Sequence, residues 1–208
     1  MRSEIWTVVP GQEWVGRVAV RWTKRLFDVV VASVLLILFS PVLVAITVVI
    51  RVTSKGSGIY WSDRVGRNNK IFRMPKFRSM RIGAPELATH MLSDPENYVT
   101  PIGGFLRRTS LDELPQLFSI LAGDLSFVGP RPALFNQDEL VALRTARGIH
   151  LLVPGLTGWA QVNGRDELPV PTKVDFDYEY MRRQSTGFDL KILIITALKV
   201  VRREGISH

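Results

Sequence analysis

The chain has no cysteine among its 208 residues. That excludes a disulfide framework and a zinc site built on thiolates. Histidine is scarce as well: His90, His150 and His208 are too scattered to suggest a metal cluster. No internal repeat and no low-complexity linker breaks the sequence, so the length reads as one domain with a real core. No short apolar run followed by a small-residue cleavage site opens the chain. Residues 1–20, with Trp6 and Trp14, therefore read as a peripheral lead-in rather than a signal peptide. Negative charge is in deficit: 27 Lys and Arg stand against 19 Asp and Glu, a net charge of +8.

What is present is basic and apolar together. Hydrophobic residues make up 46% of the chain, and the mean hydropathy is positive. This combination points to an anionic membrane surface ahead of nucleic acid. A nucleic-acid binder would fit the charge, but it has no use for Val29–Ile50, a run of 22 residues without a charge. Such a run is long enough to span a bilayer as a helix. Two features oppose a simple span. Ser40-Pro41 lies in its middle, where proline removes a helical hydrogen bond and crowds the preceding turn. The flanks are basic on both sides, with Arg17, Arg21, Lys24 and Arg25 before and Arg51, Lys55, Arg64 and Arg67 after, whereas a spanning helix carries its Lys/Arg excess on the cytoplasmic side. A helix-break-helix that enters and leaves by one face satisfies both flanks, provided that side chains such as Ser40 satisfy the freed backbone groups. Both readings stand on physical grounds. Asp28 opens the run within helical reach of Lys24 and Arg25, and reads as an ion pair at the interface.

Beyond residue 52, Gly56-Ser57-Gly58 and Gly66–Asn69 read as turns, Ile59-Tyr60-Trp61 as a strand, and Lys76–Met80 as a basic strand with Lys76 and Arg78 on one face. Pro85–Leu92 reads as a short helix. Ser110-Leu111-Asp112-Glu113-Leu114-Pro115-Gln116 then puts two adjacent carboxylates among Lys76, Arg78, Arg107, Arg108 and Arg131. Carboxylates held among cations suit phosphorylated substrates: the cations hold phosphates, and the carboxylates attack or bind a metal. Ser110 and Glu113 also match a capping box. Pro115 opposes that version, because it would fall in the second turn. A helix starting near Asp112 would put Pro115 in the first turn and Asp112 at the positive end of a helix dipole.

Leu114, Leu117, Phe118 and Leu121 carry helical core spacing, and Gly123-Asp124 ends that helix. In Ser126–Pro132, prolines on both sides of Arg131 hold a guanidinium rigidly, which suits bidentate phosphate binding or a surface turn. Residues 133–150 read as a helix, and Pro154–Arg165 as a turn, a short apolar run and an Asn-Gly turn. Asp175, Asp177, Tyr178 and Glu179 read as a solvated acidic helix face. Phe188–Arg203 is too charged to span and reads as a helix lying in the membrane interface, with burial against the domain as the alternative.

Taken in order, Lys24–Asp28, Ser40-Pro41, Lys76–Met80, Arg107–Gln116, Gly123–Pro132 and Pro154–Arg165 resemble the bacterial sugar transferase family, the small monotopic phosphoglycosyl transferases, over about residues 22–206. The resemblance implies an α/β fold, mostly helical with short strands. Residues 1–21 would be a lead-in and residues 22–51 a re-entrant membrane helix broken at Ser40-Pro41, with Lys24, Arg25 and Asp28 at its entry. Residues 52–208 would be a catalytic domain ending in an interfacial helix, on the cytoplasmic face of a bacterial inner membrane.

The resemblance also implies transfer of a sugar-1-phosphate from a nucleotide diphosphate sugar, with uridine usual, to polyprenyl phosphate, with Mg²⁺. The acceptor would be undecaprenyl phosphate, among membrane lipids, with no nucleic acid; a homo-oligomer is compatible. By motif, Asp112 would be the nucleophile and Glu113 its partner, both near Mg²⁺. Arg107 and Arg131 would hold donor phosphates, with Lys76 and Arg78 in support and Asp175 and Tyr178 as a weaker Asp-x-x-Tyr element. Gly104 departs from the basic residue many relatives carry, Arg182–Phe188 follows the pattern loosely, and the chain resembles the minimal form. A non-catalytic basic lipid-binding or scaffold module is the alternative class; it would be indifferent to Asp112 and Glu113.

Overall fold

A computed structural model describes the backbone of residues 12–84, 95–164 and 168–202, and the side chains of residues 22–84, 97–164 and 168–200. Trp6, the expected helix at Pro85–Leu92, and Arg165 lie outside the described residues. The rest is mostly helical with short strands.

The first element is one long helix, α1 (Gln12–Thr53), with Pro41 inside it. Helix therefore begins well within the expected lead-in. Helical hydrogen bonding runs on past Ser40-Pro41, where a break or kink was expected. Pro41 has no N–H to offer the carbonyl of Ile37, four residues back. Ser40 Oγ donates to that carbonyl at 2.8 Å and so satisfies the backbone group that Pro41 frees, the condition set by the helix-break-helix reading. The stretch Trp22–Thr53 is long and apolar enough to cross a membrane by length and composition. Along it Leu26, Val30, Val34, Ile37, Leu38, Val44, Val48 and Val52 are exposed.

The opposite face of α1 is buried, in two places. Before Pro41, Ala32 joins Met74, Leu117, Ile120, Leu125, Phe127, Tyr180, Phe188 and Ile192, with Phe27, Val31, Leu35 and Leu36 packed alongside. After Pro41, Ile46 and Ile50 join Phe77 and Leu106, with Leu43 alongside. Leu114 packs against both clusters.

Strands β1 (Ile59–Val65) and β2 (Ile71–Phe77) form an antiparallel hairpin. Asn68 and Asn69 take positive φ in its turn, as the expected turn there requires. Two residues of β4 (Ala133–Leu134) extend the sheet at Arg64 and Val65. Next come α2 (Gly103–Arg108), a 3₁₀ turn at Leu111–Glu113, and α3 (Gln116–Ala122), which ends at Gly123 with φ 95°. Strand β3 (Ser126–Val128) pairs in parallel with β5 (Gly155–Thr157), which leads into the short α5 (Trp159–Val162). Helices α4 (Asp138–Ala146) and α6 (Val170–Arg183) enclose a third cluster around Ala133, Leu140, Ile149 and Val174.

The last helix, α7 (Thr186–Arg202), bears out the alternative reading of the C-terminal segment, burial against the domain, on one of its faces. Phe188, Asp189 and Ile192 are buried against the domain, while Leu190, Ile194, Leu198 and Val200 are exposed.

Polar side chains lock α1 onto the domain. Lys24 Nζ sits 2.6 Å from Asp189 Oδ2, and the Tyr180 hydroxyl donates to Asp189 Oδ1 at 2.8 Å. Arg25 donates to the carbonyls of Ile120 and Leu121, at 2.5 and 2.6 Å, near the end of α3. Asp28 is buried, and its Oδ1 accepts the Phe127 N–H at 3.1 Å. The expected local pairing of Asp28 persists as the charge of nearby Lys24, while the hydrogen bonds of Lys24, Arg25 and Asp28 go to tertiary partners. An exposed helical pair is worth only about 0.2–0.5 kcal/mol, whereas a charge-assisted hydrogen bond away from water is worth about 1.5–3 kcal/mol.

Candidate active site

Asp112 and Glu113 lie in the 3₁₀ turn between α2 and α3. Ser110 precedes them in the left-handed region, φ 55°, and makes no capping hydrogen bond, so the capping-box reading fails. The dipole reading changes too: α3 begins only at Gln116, after Pro115, and has seven residues. The dyad is instead held by packing. Leu111 sits against Leu106 and Phe77, Leu114 touches both clusters beneath α1, and Pro115 is fully buried.

Lys76, near the end of β2, donates to Glu113 Oε1 at 2.9 Å. Both side chains are largely withdrawn from solvent, so this pair is better insulated than a surface salt bridge. Burial pushes the Asp112 carboxyl up to about 6; Lys76 opposes the rise, Glu113 adds to it, and Arg107 opposes it. Lys76, Arg107, Asp112 and Glu113 thus form one electrostatic unit, as the sequence led us to expect.

Arg131 is fixed through its backbone. Ser126–Pro132 runs beside Pro154–Gly158 with backbone against backbone: Ser126 N–H donates to Pro154 O, Gly129 N–H to Thr157 O and Gly155 N–H to Pro130 O, each at 2.9 Å. A Cβ on Gly155 would fall on the Gly129 nitrogen, so only glycine permits this approach. The Arg131 carbonyl accepts a hydrogen bond from Arg144 at 2.8 Å.

The other expected residues make contacts of their own. The Arg78 guanidinium packs at Gly56, in the turn after α1. Asp175 pairs with Arg147 at the surface, and the Arg147 guanidinium lies 5.8 Å from the Tyr178 ring centre. Asp175 and Tyr178 therefore belong to a contact between α6 and the end of α4. Asp177, expected on a solvated face, is 1% exposed and accepts hydrogen bonds from Arg144 Nε and Nη2 at 2.9 and 2.6 Å. Burial raises its carboxyl above the ordinary range, against the pull of Arg144. Arg144, Tyr180 and Asp189 had no sequence signal: each meets its partner from another element, so no local spacing records the contact.

The fold and site define a class: a mostly helical domain packed along a long apolar helix, with a half-buried carboxylate dyad flanked by cations. A family model described as bacterial sugar transferase matches residues 19–203, and the chain belongs to that family. It is 40% identical over 186 residues to the UDP-glucose:undecaprenyl-phosphate glucose-1-phosphate transferase of Escherichia coli, covering 86% of this chain and 40% of that protein. It is 39% identical over 202 residues to the undecaprenyl-phosphate galactose phosphotransferase of Salmonella typhimurium, covering 89% of this chain and 42% of that one. The chain therefore spans less than half of these two relatives. It is also 39% identical over 186 residues to the uncharacterized sugar transferase EpsL of Bacillus subtilis, covering 89% of this chain and 90% of that protein.

Proposed function

We propose that the chain transfers a sugar-1-phosphate from a nucleotide diphosphate sugar to polyprenyl phosphate in two steps, with Asp112 as the nucleophile. The observation that carries this reading is the Asp112–Glu113 dyad, held half-buried beside Lys76 and within the field of Arg107. The names of the relatives support uridine in the donor and undecaprenyl phosphate as acceptor.

In the first step an Asp112 oxygen attacks the phosphorus that bears the sugar. The bond from that phosphorus to the bridging oxygen breaks, and nucleoside monophosphate leaves with the electron pair. In the second step a phosphate oxygen of the polyprenyl acceptor attacks the same phosphorus. The Asp112 carboxylate is released, and the product is a polyprenyl diphosphate sugar. A covalent intermediate divides one difficult exchange between an aqueous and a lipid substrate into two. Lys76 keeps Asp112 more ionised than burial alone would, and Arg107 and Arg131 are the cations proposed for the donor phosphates.

The dyad also fits Mg²⁺. This ion binds through one or two carboxylates and completes its shell with substrate phosphates and water. Among the described residues no three potential ligands gather into a protein cage, so Asp112 and Glu113 would hold an ion that the diphosphate completes. Bound there, it would neutralise charge on the donor.

The membrane reading is a monotopic one, with α1 entering and leaving by the cytoplasmic face of a bacterial inner membrane. Ala32 and Ile50 lie 18 positions apart, about 27 Å along a straight helix, close to the hydrocarbon thickness. Both nonetheless pack on the same charged domain, through clusters that share Leu114. A span would separate them by the bilayer. The exposed apolar side chains of α1 and α7 would then rest in one leaflet.

A panel of nucleotide sugars, scored for monophosphate release with and without undecaprenyl phosphate, tests this function and identifies the sugar. Loss of release in Asp112→Asn with any competent donor is expected. Release that survives Asp112→Asn would remove Asp112 as the nucleophile, and no release by the wild type from any donor would leave the basic lipid-binding module as the better reading.

A further inference from the structure

Pro130-Arg131-Pro132 has an unusual backbone problem. Neither proline has an N–H, so the segment is held by its carbonyls. Each carbonyl is gripped from a different element: Pro130 O by Gly155 N–H at 2.9 Å, Arg131 O by Arg144 Nη1 at 2.8 Å, and Pro132 O by Arg64 Nη1 at 3.4 Å. The last is long. The Arg144 contact is the shorter of the two arginine contacts and falls on the carbonyl of Arg131 itself.

Arg144 is in turn held rigidly. It is 8% exposed on α4, and Asp177 of α6 takes two of its N–H groups on a single oxygen. A buried ion pair of this kind adds little net stability, because desolvating both charges offsets their attraction. What it does provide is a guanidinium fork fixed in direction, with one arm left to clamp the Arg131 carbonyl.

We infer that Arg144, oriented by Asp177, is the positioning residue for Arg131, aiming its side chain at the donor diphosphate. This rests on the proposed role of Arg131 in donor binding. It also gives α6 a contribution to the site through Asp177.

The test uses the full chain in detergent, with UDP affinity measured by titration calorimetry and donor and acceptor KM measured by turnover. Arg144→Lys keeps the charge opposite Asp177 but has no second arm. It should weaken UDP binding and raise donor KM by about 5- to 20-fold, the scale of losing one charge-assisted contact, with kcat and acceptor KM within about twofold. In an Arg131→Ala background the same change should add less than about twofold, because two residues acting through one contact are not additive. If Arg144→Lys folds poorly, Arg144→Met with Asp177→Leu removes both buried charges, an exchange that cores tolerate. That variant should keep the wild-type melting temperature and still bind UDP weakly.

Arg144→Lys with wild-type UDP affinity, while Arg131→Ala is weakened, would overturn this inference alone. Equal multiplication of the two effects in the double variant would do the same. Wild-type UDP affinity in Arg131→Ala would overturn the donor-phosphate role of Arg131 as well.

Discussion

At the scale of the residue, Asp112 is set apart by its acidity. An ordinary aspartate titrates near 4, while burial lifts this one to about 6. The sign follows directly. A nucleophile must be ionised, so the rate of nucleoside monophosphate release should fall as pH drops through about 6, well above the range of an exposed aspartate. Lys76 is the largest influence holding the carboxyl down. Lys76→Met should therefore move that acidic limb to higher pH as well as lower the rate. A pH–rate profile of the variant with an unmoved limb would mean that Lys76 acts only on Glu113. The dyad and its cations were legible in the sequence, because Lys76, Arg107, Asp112 and Glu113 all sit in short motifs. Arg144 and Asp177 were not, because 33 positions separate them and they lie on different helices. The Asp-x-x-Tyr spacing was real too: Asp175 and Tyr178 share one neighbour, Arg147.

At the scale of the element, the entry to α1 is held by buried polar contacts. Lys24, Asp189 and Tyr180 join three helices at one point. Removing one member strands a buried charge. Lys24→Met should destabilise the protein by roughly 3–5 kcal/mol, the usual cost of orphaning a buried ion, read as a lowered midpoint of denaturant unfolding in detergent. A change within a few tenths of a kcal/mol would mean that water reaches Asp189. Lys24 and Asp28 fall four residues apart on a helix, so the sequence suggested that they pair with each other. Tertiary partners win because Asp28 meets an N–H of β3 in the core and Lys24 meets α7. Proline at position 41 pointed for an equally local reason to a freed backbone carbonyl, and one hydroxyl, Ser40 Oγ, satisfies it as the helix-break-helix reading required.

At the scale of the whole molecule, α1 and the site form one device. The helix that would sit in lipid packs on the same clusters that seat Leu111 and Leu114 around the dyad. A monotopic α1 predicts that both of its ends face the cytoplasm. Single cysteines placed at the N-terminus and near Gly56, at the exposed Ser57, of this cysteine-free chain should both resist an impermeant thiol reagent in intact cells. Labelling of one site from outside would make α1 a span. The central claim is the covalent route through Asp112, and one measurement addresses it most directly. Purified protein is mixed with Mg²⁺ and a competent nucleotide sugar in the absence of polyprenyl phosphate, then quenched rapidly. The account predicts about one nucleoside monophosphate released per active site, a mass gain of one sugar phosphate on the peptide containing Asp112, and neither signal in Asp112→Asn. No monophosphate until the lipid acceptor is added, with no adduct trapped, would contradict it and make the transfer a direct displacement.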